Sequence, residues 1–219
     1  MPQFDIDSNM TVGITSGSIM HAVSRHLVPK EFHDLEFVQL NGAGNEFTTG
    51  DACASELFRR FGDAFSAPVM EFPVPALFDD PETEEAMWHE RSVKRILDVQ
   101  NRMDLALFGL GSPFVEAPSH VYTGGHLDEI DYSSMMAAHV VGDVATEFFR
   151  ADGTYQDIAL NARASGPDIS QIKRTPRRVC IVAGRSKLRS LRGALAANLI
   201  TELITDLITD EATAHSLTP

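Results

Sequence analysis

The sequence predicts an α/β protein, a three-layer sandwich built around a mostly parallel β-sheet. Five short apolar runs each break off into a loop of glycine and small polar residues. Strands that are buried on both faces read as continuous Val/Ile/Leu runs, whereas half-exposed strands alternate with polar residues. Helical patterns follow these runs, and strand–helix alternation is typical of a parallel sheet covered on both faces. The five runs are residues 11–18, 37–45, 105–112, 140–144 and 179–187.

Helical patterns follow the first two runs. Apolar residues recur at a spacing of four from Ile19 to Leu27, and Pro29 ends that segment. Residues 52–65 carry Leu and Phe side chains at helical intervals, and Asp51 is a plausible cap. The pattern therefore predicts one helix after each of the first two strands.

A short strand and two helices are predicted between the second and third runs. Residues 69–72 form a strand candidate that ends at Pro73. Residues 79–82 read as a cap, a proline in the first helical turn and an acidic residue near the positive helix end. A further helix is predicted to begin after Ser92 and to lead into the run at 105–112.

The second half of the chain is less regular. Residues 113–136 contain a Gly–Gly pair and an acidic run, and we expect them to form a flap over the strand ends. The Asp–Gly pair at 152–153 predicts a hairpin at the sheet edge. After the last long run we expect a helix over 187–200, a strand over 207–209 and a short helix from Glu211.

Composition limits the classes of protein to which this chain can belong. A chain of 219 residues, 43% hydrophobic, fits one soluble domain over 1–219, and no apolar stretch approaches the roughly 18 residues of a membrane span. The N-terminus lacks the features of a signal peptide. Cys53 and Cys180 lie in apolar contexts, which favours reduced core residues and a cytoplasmic location. The net charge of −13 repels phosphodiester backbones, so we expect no direct nucleic-acid binding and no membrane association.

The loop at 183–187 is the first candidate ligand site. In open parallel sheets, ligands bind beyond the carboxyl ends of the strands. Backbone N–H groups at a helix start, with Lys187 and Arg185, suit a phosphate, and Gly184 lets the backbone approach it. An ordinary turn with solvated cations remains the alternative. The loop has neither a nucleotide-triphosphate P-loop spacing nor a dinucleotide fingerprint.

Two further loops offer polar groups. Thr15, Ser16, Gly17 and Ser18 supply hydroxyls and N–H groups ahead of a helix, where Ser16 or Ser18 could equally be a simple cap. Asn41 ends the second run, and its amide could both donate to and accept from sugar hydroxyls, although a turn residue is the alternative.

Asp143 and Arg163 are the remaining candidates. Asp143 could accept hydrogen bonds from sugar hydroxyls or could simply cap a turn. Arg163 could reach a second anionic group, and an ordinary surface side chain is the alternative. The histidines lack metal-ligand spacing, no Gly-x-Ser-x-Gly nucleophile turn is present, and we expect no metal and no cofactor. Asp143 is the one modest candidate for an acid–base catalyst.

Taken in order, the loops resemble the effector (sugar)-binding domain of SorC/DeoR-type bacterial transcriptional regulators. Each segment is short, but together they span nearly the whole chain in the right order. The matching segments are residues 12–18 (VGITSGS), 38–42 (VQLNG), 75–78 (PALF), 107–112 (LFGLGS), 141–143 (VGD), 148–153 (FFRADG), 160–163 (LNAR), 182–187 (VAGRSK) and 208–214 (ITDEATA).

The resemblance implies a fold related to sugar-phosphate isomerases and a pocket for a phosphorylated sugar above the sheet. Such regulators are dimers or tetramers whose DNA affinity changes when the sugar binds. By this match, Lys187 with Gly184 and the 15–18 loop would hold the phosphate, and the rest of the pocket would be lined by Asn41, Asp143 and Arg163. The whole set of implied ligand-binding residues is Thr15, Ser16, Gly17, Ser18, Asn41, Gly42, Gly111, Asp143, Arg163, Gly184, Arg185 and Lys187.

Three departures from the family pattern matter. Only ten residues precede the first run, so we expect the helix-turn-helix reader to be absent from this chain. Arg185 stands where the family often has a glycine, and Asn41 replaces a lysine that forms a Schiff base in some members, which favours non-covalent binding. The sequence leaves two other functions open: a sugar-phosphate isomerase or deaminase, and an oligomerisation module without a ligand.

Overall fold

The described strands divide into one parallel sheet and one hairpin. The computed structural model describes residues 6–42, 54–113, 115, 120–196 and 205–217. Six of the strands form a parallel sheet in the order β3-β2-β1-β4-β7-β8, and β5 pairs with β6 in a separate antiparallel hairpin. The strands are β1 (Thr11–Ile14), β2 (Glu36–Gln39), β3 (Val69–Met70), β4 (Leu105–Phe108), β5 (Val140–Val144), β6 (Glu147–Arg150), β7 (Arg177–Ile181) and β8 (Asp206–Ile208).

Helices connect the strands and cover both faces of the parallel sheet. Short 3-10 turns lie at Ala159–Arg163 and Arg185–Lys187. Among the described residues the helices are α1 (Ser18–Ser24), α2 (Ala54–Phe65), α3 (Pro81–Trp88), α4 (Arg91–Gln100), α5 (His120–Thr123), α6 (Glu129–Ala137), α7 (Ile169–Arg174), α8 (Leu188–Leu195) and α9 (Glu211–Leu217).

Alternate residues of each central strand enter different cores, which is why the strands read as continuous apolar runs. Val12 and Leu105 pack with Phe58 and Phe61 of α2 on one face of the sheet. Ala106, together with its apolar neighbours on the opposite face, packs against α4, α7, α8 and the hairpin. Helices and strands therefore form three layers, and the predicted α/β sandwich is confirmed. The relationship to sugar-phosphate isomerases stays a prediction.

The run at 140–144 does form a strand, but its predicted place in the parallel sheet is wrong. Val141 packs towards α8 and the main core, whereas Val140 and Phe148 pack against α5 and α6 on the other face of the hairpin. Because both faces are covered, an antiparallel hairpin shows the same uninterrupted apolar pattern as a parallel strand. The sequence pattern alone does not distinguish the two arrangements.

The hairpin turn also lies at a different place from the one predicted. Ala145 and Thr146 form the two-residue connection, and both have positive φ (51° and 71°), as a type I′ turn requires. The Asp–Gly pair at 152–153 forms a turn after β6, closed by the Arg150 N–H donating to the Thr154 carbonyl, but no strand follows it. An Ala–Thr pair carries none of the usual signals for this turn type.

The other predicted elements agree with the structure within a few residues. The predicted strand at 69–72 is β3, the helix predicted after Ser92 begins at Arg91, and the strand predicted over 207–209 is β8. The proposed cap Asp51 and the last four residues of the helix predicted over 187–200 lie outside the described residues. No helix in the described part of the chain is long and apolar enough to cross a membrane.

Candidate functional site

A cavity of about 230 Å³ opens at the carboxyl ends of β1, β2, β4 and β7. Parallel strands end at one edge of the sheet, so the loops that follow them lie close together. Asp143 comes from the hairpin rather than the sheet and reaches the same cavity, because the Gly111 N–H donates to its carbonyl at 2.8 Å. Nine of the predicted residues line the cavity: Thr15, Ser16, Gly17, Ser18, Asn41, Gly42, Gly111, Asp143 and Lys187.

Asn41 ties the loop after β2 to the loop after β1. Its side-chain oxygen accepts the Ser16 N–H at 3.1 Å and the Ser16 hydroxyl at 3.4 Å. Its side-chain nitrogen donates to the Gly42 carbonyl at 3.3 Å. Asn41 is buried, so it fixes the shape of this wall, and its oxygen already has two donors from the protein.

Two of the lining glycines are required by close approaches. A Cβ at Gly42 would lie 2.3 Å from the carbonyl oxygens of Val74 and Pro75. A Cβ at Gly111 would lie 1.5 Å from Oδ1 of Asp143. Both distances are far below any real carbon–oxygen contact, so these positions accept only glycine without local movement.

Asp143 is a buried carboxylate with specific partners. The Tyr122 hydroxyl donates to Oδ1 at 2.7 Å, and the Thr146 N–H donates to Oδ2 at 3.3 Å. Burial raises the pKa of Asp143, while the hydrogen bond from Tyr122 and the charge of Lys187 partly oppose that rise. Burial, followed by the nearby Asp143 carboxylate, raises the pKa of Tyr122.

Tyr122 and Val121 were missed by sequence reasoning. Both belong to α5, inside the segment predicted to form a flap, and Val121 lines the cavity. The sequence indicated only that this segment covers the strand ends, because no motif marks Tyr122. Thr146 also lines the cavity. It follows Asp143 by three residues, and no motif marks it either.

Lys187 and Asp143 are the charged side chains among the described residues that line this cavity. Lys187 is half-buried at the end of the 3-10 turn that precedes α8. Burial lowers the pKa of its ammonium, and the charge of Asp143 acts in the opposite direction. The cavity thus presents one cation, one carboxylate and several hydroxyl groups around a small volume.

Three predicted residues are not brought to the cavity. The N–H of Gly184 donates to the Asp210 carboxylate at 2.7 Å and to the Thr213 hydroxyl at 3.0 Å, so this amide is already used by the protein. Arg185 is exposed beside it. Arg163 forms an ion pair with Asp131 and donates to two backbone carbonyls next to α3, where it joins α6 to that region.

Comparison with known proteins gives the family. Residues 4–218 match the family model described as "Putative sugar-binding domain". The chain belongs to this sugar-binding domain family. The resemblance to SorC/DeoR-type regulator domains, inferred above from the ordered loops, is confirmed.

Several curated relatives are regulators. The domain is 26% identical over 184 residues to the deoxyribonucleoside regulator of Bacillus subtilis (strain 168), covering 84% of this chain and 58% of that protein. It is 26% identical over 185 residues to the erythritol catabolism regulatory protein EryD of Brucella abortus (strain 2308), covering 84% and 57%. The chain therefore spans less than two thirds of the length of these relatives.

Solved structures share the fold. A domain of a possible sugar-binding transcriptional regulator from Arthrobacter aurescens TC1 is 52% identical, with a TM-score of 0.87 over 97% of this chain and 79% of that one. The full-length sorbitol operon regulator SorC from Klebsiella pneumoniae is 20% identical, with a TM-score of 0.85 over 97% and 68%. The sugar-binding domain thus keeps its architecture at low sequence identity.

Proposed function

We propose that this sugar-binding domain is the effector-sensing part of a transcriptional regulator and that its ligand is a small phosphorylated sugar. The observation that carries the proposal is the meeting of Lys187, Asp143 and the 15–18 turn in one cavity. A cation opposite a carboxylate, with hydroxyls between, suits a molecule that has an anionic end and a polyhydroxylated body.

The phosphate would lie between Lys187 and the start of α1. The backbone there turns at Gly17, whose φ of 154° suits glycine, and a Cβ at this residue would meet nothing within 4 Å. The first N–H groups of a helix have no partners within the helix, and α1 has no side-chain cap. Gly17, Ser18 and Ile19 line the cavity, and in this proposal their N–H groups take the place of the Gly184 amide as donors.

The sugar body would lie towards Asp143 and Asn41. A carboxylate oxygen has more than one lone pair, so Asp143 can accept from a sugar hydroxyl while it keeps its bonds from Tyr122 and Thr146. The names of the relatives support a polyhydroxylated effector, since they refer to deoxyribonucleosides, erythritol and sorbitol.

The remaining parts of the proposal concern the whole regulator. Residues 1–219 act as one sensing domain, the regulator works in the cytoplasm as a homodimer or tetramer, and a separate domain contacts DNA. We propose that the domain binds its sugar without catalysis and without a cofactor, because its relatives are named as regulators. Incubation with the sugar phosphates that bind, followed by product analysis, should show no turnover; turnover that Asp143→Asn abolishes would contradict this part.

Thermal unfolding in the presence of a panel of sugar phosphates and the matching free sugars tests which class of ligand the domain binds. A ligand at a hundredfold excess over Kd stabilises the folded state by about 2.7 kcal/mol, roughly 5–11 °C in Tm for a domain of this size. Lys187→Ala should remove most of the shift. Arg185→Ala is the matched control, because it removes a cation two residues away that does not line the cavity. No shift with any compound, or equal losses in both variants, would refute the proposal.

A further inference from the structure

A second cavity of about 630 Å³ lies on another side of the β5–β6 turn, between α3, α4 and the segment before α7. Its described lining contains four carboxylates and no basic side chain. The carboxylates come from α3, from β6, from the loop after β6 and from the residue that caps α7. They are Glu84, Glu147, Asp157 and Asp168.

Glu147 is the central group of this cavity. Its residue is only 5% exposed, yet its carboxyl has no hydrogen-bond partner among the described residues. The charges that act on it are those of Asp168 and Glu84, which both line the same cavity. Its carboxyl group therefore faces the cavity, and a buried carboxyl without a donor is costly unless a bound molecule supplies one.

Gln100 forms part of the wall of the same cavity. It is 1% exposed and lines the cavity. Its side-chain nitrogen donates to the carbonyls of Gln39 and Leu40, at 2.8 and 3.2 Å. Its side-chain oxygen is buried without a partner in the described structure. That oxygen is closed to solvent, so Gln100 shapes the wall of the cavity, and Glu147 is the unpartnered acceptor that a ligand can reach.

The remaining lining favours an organic cation over a metal ion. Trp88 and Tyr155 contribute aromatic rings, which attract cations to their faces. The Lys173 ammonium already lies 6.0 Å from the centroid of the Tyr155 ring. Within the described residues no group of three or more His, Cys, Asp or Glu side chains is close enough to hold a metal. The acidic groups are spread around a volume that fits an organic molecule.

We propose that this second cavity is a binding site for an organic ammonium compound, with Glu147 as its central counter-ion. A linear diamine matches this arrangement, because its two ammonium groups can reach carboxylates on different walls. The site is separate from the sugar cavity, since Asp143 and Glu147 face the two cavities from opposite ends of the same turn.

The electrostatics of Glu147 agree with such a ligand. Burial, and then the charges of Asp168 and Glu84, raise the pKa of Glu147 to about 9. At pH 7 the carboxyl of the protein alone is thus protonated. An ammonium ion beside it favours the ionised form, so binding should release a proton. Calorimetry in two buffers of different ionisation enthalpy measures that release.

The protein contains one tryptophan, Trp88, and it lines the proposed site. Titration with 1,4-diaminobutane should therefore change the tryptophan fluorescence and saturate. Butane-1,4-diol, which has the same length and no charge, should give no saturable change, and sodium chloride controls for ionic strength. An equal response to the diol, or no response with no heat of binding at millimolar diamine, would overturn the proposal.

Variants assign the response to this cavity. Glu147→Gln keeps the side-chain shape and should weaken diamine binding at least tenfold. Asp157→Asn is a second test and should weaken binding severalfold. The backbone at residue 157 has φ 58°, a conformation that asparagine tolerates, so this substitution should not disturb the fold. Glu82→Gln is the matched control, an exposed α3 residue that does not line the cavity. Equal affinities in all three variants would refute the assignment, and urea unfolding confirms that each variant is folded.

Discussion

Replacing Gly111 by alanine tests the contact on which the position of Asp143 depends. A Cβ at residue 111 would lie 1.5 Å from Asp143 Oδ1 and 2.4 Å from its Cγ, so the carboxylate must move. The backbone at Gly111 is not in the positive-φ region, so the cost comes from the contact. Overpacking costs about 1–3 kcal/mol. Losing the Tyr122 hydrogen bond to a buried acceptor adds about 1–3 kcal/mol. We expect Gly111→Ala to lower the free energy of unfolding by about 3 kcal/mol, from these two contributions.

A double-mutant cycle isolates the cause. Asp143→Ala removes the three atoms nearest to the added Cβ. In that background, Gly111→Ala should therefore cost less than about 1 kcal/mol, since contacting residues are coupled and the clash is gone. Urea unfolding followed by Trp88 fluorescence gives the four free energies. Equal costs of Gly111→Ala in both backgrounds would show that the carboxylate does not explain this glycine.

Two further predictions concern buried polar groups. Burial raises the pKa of Glu147 from its ordinary value of 4.5 to about 9 in the folded state. The stabilising effect of the protonated group is therefore present at low pH and is lost as the pH rises between those values. The free energy of unfolding of Glu147→Gln, relative to that of the parent protein, should therefore rise by up to about 4 kcal/mol between pH 5 and pH 8. Urea unfolding measures this difference, and a difference that does not change with pH would contradict the prediction. Ser165→Ala removes a hydroxyl that accepts the Gly42 N–H at 2.9 Å and donates to the Ala76 carbonyl at 2.8 Å. It should cost about 1–3 kcal/mol by calorimetry, whereas the exposed Ser133→Ala should change stability by less than about 0.5 kcal/mol.

Much of the first cavity, at the carboxyl ends of β1, β2, β4 and β7, was predictable because its residues follow parallel strands. Thr15, Asn41 and Lys187 each lie just beyond the carboxyl end of a strand, and those ends meet at one edge whatever the order of the strands. An apolar run followed by a glycine-containing loop was therefore enough to place them together. That they bind a phosphorylated sugar remains a proposal.

The residues that sequence reasoning misplaced or missed depend on partners far away in the chain. Arg163 was expected to contact the ligand, but its guanidinium forms an ion pair with Asp131, 32 residues earlier in the chain. The Gly184 amide was expected to face a phosphate, but Asp210, 26 residues later, accepts it. Tyr122 reaches Asp143 across 21 residues without any motif that marks it. Local spacing carries no information about such pairs.

The sequence by itself determined which segments are buried strands, because a strand covered on both faces must be apolar throughout. It also determined that polar, glycine-containing loops follow those strands. Only the tertiary structure decided that Val140–Val144 leaves the parallel sheet for a hairpin, since Ala145 and Thr146 adopt a turn that their side chains do not favour. It also decided which cations and amides reach the cavity, because Arg163 and the Gly184 amide bind partners that the fold brings from elsewhere in the chain.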